Sequence, residues 1–136
     1  MISAVSPRGE MRFVLVPGRM NATKFCTFLH RLLRRATRPI FPIVDVHPAH
    51  RARKVQQFLT RVKGRVRLFF LLPYAPELNP DEWVWADLTH QTMGRTLIAT
   101  REDFSETIRP YVGRLQRNRA RVRAFFQVPS VWYAAA

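Results

Sequence analysis

Apolar residues recur along this chain with two alternating periods, and the alternation predicts a succession of short strands and helices. Ile2 to Val5 reads as a strand, Ser6-Pro7-Arg8-Gly9 as a turn and Met11 to Val16 as a second strand, together a hairpin. Asn21 stands where it can cap a helix whose apolar positions Phe25, Phe28, Leu29, Leu32 and Ala36 keep helical spacing. Ile40 to Val44 is a short apolar run bounded by Pro39 and by His47-Pro48, and it predicts a buried strand. Arg51 to Val62 returns to the helical period. Val55, Phe58, Leu59 and Val62 share one face, Arg51, Arg53, Lys54 and Arg61 lie outside it, and Gly64 ends the helix.

Arg67 to Leu72 predicts another buried strand. Pro73 to Pro76 breaks the chain before a helix that begins near Asn79-Pro80 and runs to about Gln91. Thr100-Arg101-Glu102-Asp103 has the pattern of a helix-start box, with Phe104, Ile108, Val112 and Leu115 as the buried stripe and Pro110 as a kink. A short helix from Arg119 to Phe126 precedes the tail VPSVWYAAA. No repeat, low-complexity tract or long linker interrupts this order, so the expectation is a single domain over residues 1–136. Strands alternating with helices after a hairpin imply an α/β fold with a mixed sheet, whose chemistry collects at the carboxyl ends of strands.

Charge narrows the partner. The 136 residues carry 23 Lys and Arg against 9 Asp and Glu, a net charge of +14, and 20 of the 23 cations are arginine. Such an excess predicts a polyanion, and arginine suits phosphate, which a guanidinium grips with two parallel hydrogen bonds. The bland alternative is a basic surface without a dedicated partner. Cys26 is the only cysteine, which excludes an intrachain disulfide and a multi-thiolate metal site and fits a reducing cytoplasm. The N-terminal residues lack the pattern of a signal peptide, and the longest apolar run, LFFLLP, is far too short to span a bilayer. A cytoplasmic protein with no membrane partner is expected. Gly-rich phosphate loops and Gly-x-Ser-x-Gly elbows are absent from the sequence.

The candidate chemistry rests on carboxylates. Between Met11 and Pro76 the single acid is Asp45, set among fourteen Lys and Arg residues, at the end of the run Ile40 to Val44. An Asp before a turn often does no more than accept backbone N–H groups as an Asx-turn, so position alone leaves its role open. Glu77, Asp81 and Glu82 form the densest acidic cluster. Here too a structural reading competes, because Asn79 with Glu82 three residues later has the spacing of a capping box. Asp45-x-His47-x-x-His50 offers three zinc-type ligands, but a further ligand would have to come from His30 or His90, which have no partner motif. The plainer role for His50 is to start the following helix or to bond a neighbour. Trp83, Trp85 and Phe104 sit at helical spacing beside Leu88 and Ile108 and read as core.

Taken together, VDVHPAHRARKV and FFLLPYAPELNPDEWVW resemble the nuclease domain of DDE transposases in the mariner-like insertion-sequence superfamily. That family has a strand ending in Asp, a His five residues later, a basic helix, a strand and a Pro-Tyr-Ser-Pro-x-Leu-Asn-Pro-x-Glu segment leading to Trp. Asp45, His50, Tyr74, Pro76, Leu78, Asn79, Pro80, Glu82 and Trp85 match it in order and spacing. The resemblance extends from AVSPRGEMRFVLVPGRMNATKF to FFQVPSVWY. It implies an RNase H-like fold in which acidic residues hold two Mg²⁺ or Mn²⁺ ions for DNA strand cleavage and transfer, with Asp45 as the second family carboxylate and Glu82 as the third.

Val46, Leu72 and Ala75 depart from the family's Asn or Gly, Pro and Ser. The larger departure is at the front: the family's first catalytic Asp lies on a central strand before the hairpin, and Glu10 is the only acid here ahead of Asp45. The resemblance therefore implies an N-terminally truncated nuclease domain lacking that first strand, inactive alone and completed by an upstream fragment or a second copy. Arg51, Arg53 and Lys54, just after the Asp45 turn, are the expected DNA-contacting residues. The competing expectation is a non-catalytic nucleic-acid-binding module of the same fold.

Overall fold

The computed structural model describes residues 1–93 and 100–135, so the last residue of the predicted tail, Ala136, lies outside the described residues. The chain forms two compact units, one made of Met1, Ser3–Leu15 and Glu77–Ala136, the other of Ile2 and Val16–Pro76.

In the first unit the predicted hairpin forms from β1 (Ile2–Val5) and β2 (Met11–Val14). Its turn is closed by Gly9 N–H donating to the Ser6 carbonyl and Ser6 N–H donating to Glu10, both at 2.9 Å. Gly9 has φ +84°, and a Cβ there would lie 2.5 Å from the carbonyl oxygen of Arg119, so both backbone angle and space demand glycine. Three helices follow: α4 (Pro80–Leu88), α5 (Arg101–Arg117) and α6 (Arg119–Ala124). The helix expected to reach Gln91 leaves α geometry at Leu88 and finishes as a π turn, Thr89–Met93, where Thr92 Oγ1 donates to the Leu88 carbonyl at 2.6 Å.

The box at Thr100 is real: its Oγ1 accepts from Asp103 N–H and Asp103 Oδ2 accepts from Thr100 N–H. Helix α5 continues through Pro110 to Arg117. The stripe read from its sequence, Ile108, Val112 and Leu115, joins Met11, Val84, Leu88, Val122, Phe125 and Phe126 in one buried core. Each such side chain contributes about 1.5–3 kcal/mol on leaving water. Trp83, Trp85 and Phe104 pack partly buried against this core, as their spacing predicts. At its rim Asp87 accepts hydrogen bonds from the Tyr111 hydroxyl and from Arg121 Nη2.

In the second unit Asn21 Oδ1 accepts from Lys24 N–H at 2.9 Å and caps α1 (Ala22–Arg34), which buries Phe25, Phe28, Leu29 and Leu33. The helix predicted over Arg51 to Val62 forms as α3 (Arg53–Arg61), preceded by a separate short helix α2 (Pro48–Arg51) from which Ala52, with an extended ψ of 149°, divides it. Phe25, Leu29, Leu33, Val55 and Val66 form a second core, with Ile40, Val44, Phe58, Leu59, Val62 and Leu68 packed around it.

The two runs read as buried strands are shorter and more open than expected. Only Ile43–Val44 (β3) and Phe69–Phe70 (β4) are extended as strands, paired in parallel with Ile43 opposite Phe69 and Val44 opposite Phe70. A single bridge from Ile40 to Val66 prolongs the pairing backwards. Among the described residues the strands make two separate two-stranded sheets rather than the one mixed sheet expected. Ile40, Val44, Val66 and Leu68 face the core beneath α1 and α3. Phe41, Ile43 and Phe69 on the other parity are 59%, 43% and 46% exposed, while Phe70 is also exposed and Leu71, just after β4, is buried, so the alternation is incomplete in β4. Burial fails on that face because an apolar run specifies that a residue prefers cover, not that a layer exists to provide it.

Candidate active site

Asp45 follows β3 directly, at the carboxyl end of the parallel pair. Its Oδ1 accepts from the His47 N–H at 3.2 Å, so the Asx-turn anticipated for a strand-end Asp is present. The same oxygen lies 2.9 Å from His50 Nδ1, which also faces the Asp45 carbonyl oxygen at 3.0 Å. Both neighbours of Nδ1 are acceptors, so this nitrogen carries the proton. The His50 ring is buried and tilted against Phe25, centroid to centroid 4.3 Å. His50 thus bonds a neighbour, while the helix start falls to His47, whose Nδ1 accepts from Ala49 N–H at 3.1 Å. The Asp45 side chain remains 55% exposed, with its second oxygen uncommitted to any described residue.

Glu82 lies in the first turn of α4. The capping-box reading does not hold there. Asn79 Oδ1 accepts from Asp81 N–H at 3.1 Å rather than from the third residue, and the Glu82 N–H donates to the Asn79 backbone carbonyl. Asp81 is committed elsewhere, with Ser3 Oγ 2.7 and 2.8 Å from its two oxygens. The Glu82 side chain is exposed and forms no hydrogen bond or ion pair with the described residues. Asp45 and Glu82 belong to different compact units.

Arg51, Arg53 and Lys54 are all exposed along the start of the helical pair after the Asp45 turn. The Arg51 guanidinium lies over the Phe70 ring, 5.3 Å from its centroid, and Lys54 Nζ donates to Thr23 Oγ1 at 2.8 Å. Among the described residues Arg53 has no such tether. Burial pushes the Cys26 thiol up, against the pull of Lys54 and Arg61, which keeps it a protonated packing residue. Tyr74 has φ +58° and is fully exposed, a backbone setting uncommon for a bulky residue.

Among the described residues no three His, Cys, Asp or Glu side chains gather as a metal site, so Asp45, His47 and His50 do not compose one by themselves. The oxygens that stay available, the second of Asp45 and both of Glu82, are hard donors of the kind Mg²⁺ and Mn²⁺ prefer. The open apolar face of β3 and β4 is the feature that the sequence reading missed. Its one signal was the alternation of Phe41, Ile43 and Asp45 with Pro42 and Val44.

Residues 1–105 match a family model described as DDE superfamily endonuclease. The chain belongs to the DDE superfamily of endonucleases. The fold of this DDE domain is similar to that of the Mos1 mariner transposase catalytic domain, with a TM-score of 0.61 at 15% identity, over 92% of this chain and 67% of the other. A second structure of the Mos1 catalytic domain, solved with raltegravir and Mn, matches with the same score and identity over 93% of this chain and 69% of that one. No curated protein matches the DDE domain significantly. Among its described residues no helix is long and apolar enough to cross a membrane.

Proposed function

We propose that this DDE domain takes part in transposition-type cleavage and transfer of DNA strands, with Asp45 and Glu82 as two of its metal-ligating carboxylates. The observation that carries the reading is that, in a chain of this family, the two motif carboxylates keep exposed oxygens free of structural duty. Asp45 commits one oxygen to the His47 N–H and His50 and leaves the other available, and the Glu82 side chain takes no part in the cap. The donor set suits two Mg²⁺ or Mn²⁺ ions, which when bound supply Lewis acidity to both the attacking and the leaving oxygen of an in-line displacement.

The protein's own part is positioning. His50, held against Phe25, keeps one oxygen of Asp45 engaged and turns the other outward. Arg51, Arg53 and Lys54 offset phosphate charge beside the Asp45 turn, binding DNA through its backbone with little sequence reading. Glu10 at the hairpin turn is engaged with Ser6 and is not proposed as the remaining carboxylate. The chain alone is inactive on this reading, and an upstream transposase fragment or a second copy completes it.

The test is Mn²⁺- or Mg²⁺-dependent nicking of DNA by a protein restored with an upstream region that carries the missing acid. Asp45→Ala and Glu82→Ala should each abolish nicking, and nicking that survives both changes refutes the assignment. The second reading, a non-catalytic binding module, draws on the 13 Lys and Arg against one acid in the sequence from Val16 to Pro76. It predicts DNA binding with steep salt dependence that Asp45→Asn and Glu82→Gln leave intact, without nicking in any assembly.

A further inference from the structure

Around the parallel pair β3 and β4, Ile40, Val44, Val66 and Leu68 pack onto α1 and α3, whereas Phe41, Ile43, Phe69 and Phe70 are exposed. On the open face Phe41 and Phe69 meet edge to face, ring centroids 6.3 Å apart, with Ile43 directly opposite Phe69 in the register. The Arg67 guanidinium lies 5.7 Å from the Phe69 centroid and is itself exposed. Parallel strands are ordinarily covered on both faces, so an uncovered apolar face of this kind points to an occupant. Charge selects among occupants. The stretch from Val16 to Pro76 holds 13 cations and one carboxylate, which repels a second copy and attracts a polyanion.

We propose that the open face of β3 and β4 is a stacking platform for unpaired nucleotides, with bases lying on Phe41 and Phe69 and phosphates drawn to Arg67. A base offers an apolar face to the ring, and its backbone offers an anion to the guanidinium, so one nucleotide satisfies both halves of the patch. Duplex DNA cannot, because its bases are already stacked on each other. Asp45 has the same parity as Phe41 and Ile43 and follows them by one step, so a strand laid on the platform leads to the candidate carboxylate. The inference extends the DNA-directed reading above by naming the form of DNA held.

The experiment is fluorescence anisotropy of the full chain with an oligothymidine of about ten nucleotides and with a duplex of the same length. Phe41→Leu and Phe69→Leu keep the surface apolar and remove the aromatic face. Each should weaken single-strand binding about tenfold or more while the salt slope and duplex binding stay unchanged. Single-strand binding that survives both substitutions overturns the platform. So does a chain that light scattering finds dimeric and that becomes monomeric in Phe41→Ala, because the face then belongs to a second copy. The nicking test above is independent of this one. Nicking by the restored protein with aromatic-insensitive binding leaves only the platform refuted, and aromatic-sensitive binding without nicking leaves only the catalytic reading refuted.

Discussion

Replacing His50 by alanine tests whether the Asp45 turn is a built arrangement or a passive bend. The substitution removes the Nδ1 donor that lies 2.9 Å from Asp45 Oδ1 and 3.0 Å from its carbonyl oxygen. A hydrogen bond to a charged acceptor contributes about 1.5–3 kcal/mol, and the lower end applies because the Asp45 side chain is 55% exposed. The ring also leaves its place against Phe25, a large-to-small change that for a partly polar ring costs about 1–2 kcal/mol. The total loss is about 3 kcal/mol, which at a urea slope of about 2 kcal/mol/M lowers the unfolding midpoint by about 1.5 M. A double-mutant cycle with Asp45→Ala isolates the pair, and a coupling of about 1 kcal/mol or more is expected. His50→Gln, which keeps a donor, should recover part of it. A coupling below about 0.3 kcal/mol, with His50→Ala equally harmful in both backgrounds, refutes the claim that His50 holds Asp45.

Gly9→Ala should destabilise the first unit by more than about 1 kcal/mol in the same urea experiment, because the new Cβ meets Arg119 oxygen at 2.5 Å and φ is +84°. A neutral effect would mean that the hairpin turn does not seat on α6. Burial and the hydrogen bond to Asp87 push the Tyr111 hydroxyl above the ordinary tyrosine range, so the fold favours its protonated form. That contribution is complete below the unfolded tyrosine value of about 10 and is lost as pH rises through the higher folded value. Stability should therefore fall in strong alkali, and Tyr111→Phe should flatten the fall when unfolding is followed against pH.

Features set by a residue and its immediate neighbours were legible in the sequence. Asn21 and Thr100 cap as read, since each needs only a side-chain oxygen and an N–H three residues on. The hairpin followed from Pro7 and Gly9 between two apolar runs. Asn79 caps its helix as read, but its oxygen takes the N–H of Asp81, one residue earlier than a capping box requires, so the structural reading of Glu82 fails. Ala52 carries no local signal for its extended angle, since alanine is the best of helix formers. The strands Ile43–Val44 and Phe69–Phe70 were legible as strands and illegible as surface. Whether a layer covers a sheet face is decided by elements far away in the chain, and no window of residues contains that information.

The parity of β3 joins the two features that matter for function. Side chains alternate across a strand with a period of two, so shifting the register by one residue would turn Phe41, Ile43 and Asp45 together onto the helices and expose Ile40, Pro42 and Val44. The hydrogen bonds from Phe69 N–H to Pro42 and from Leu71 N–H to Val44 fix which set faces out. Asp45 shares this parity with Ile43 and Phe41, two and four residues before it, and all three are exposed. The exposed rings of Phe41 and Phe69 and the available oxygen of Asp45 accordingly belong to one stretch of chain. A site that uses the carboxylate inherits the aromatic surface leading up to it.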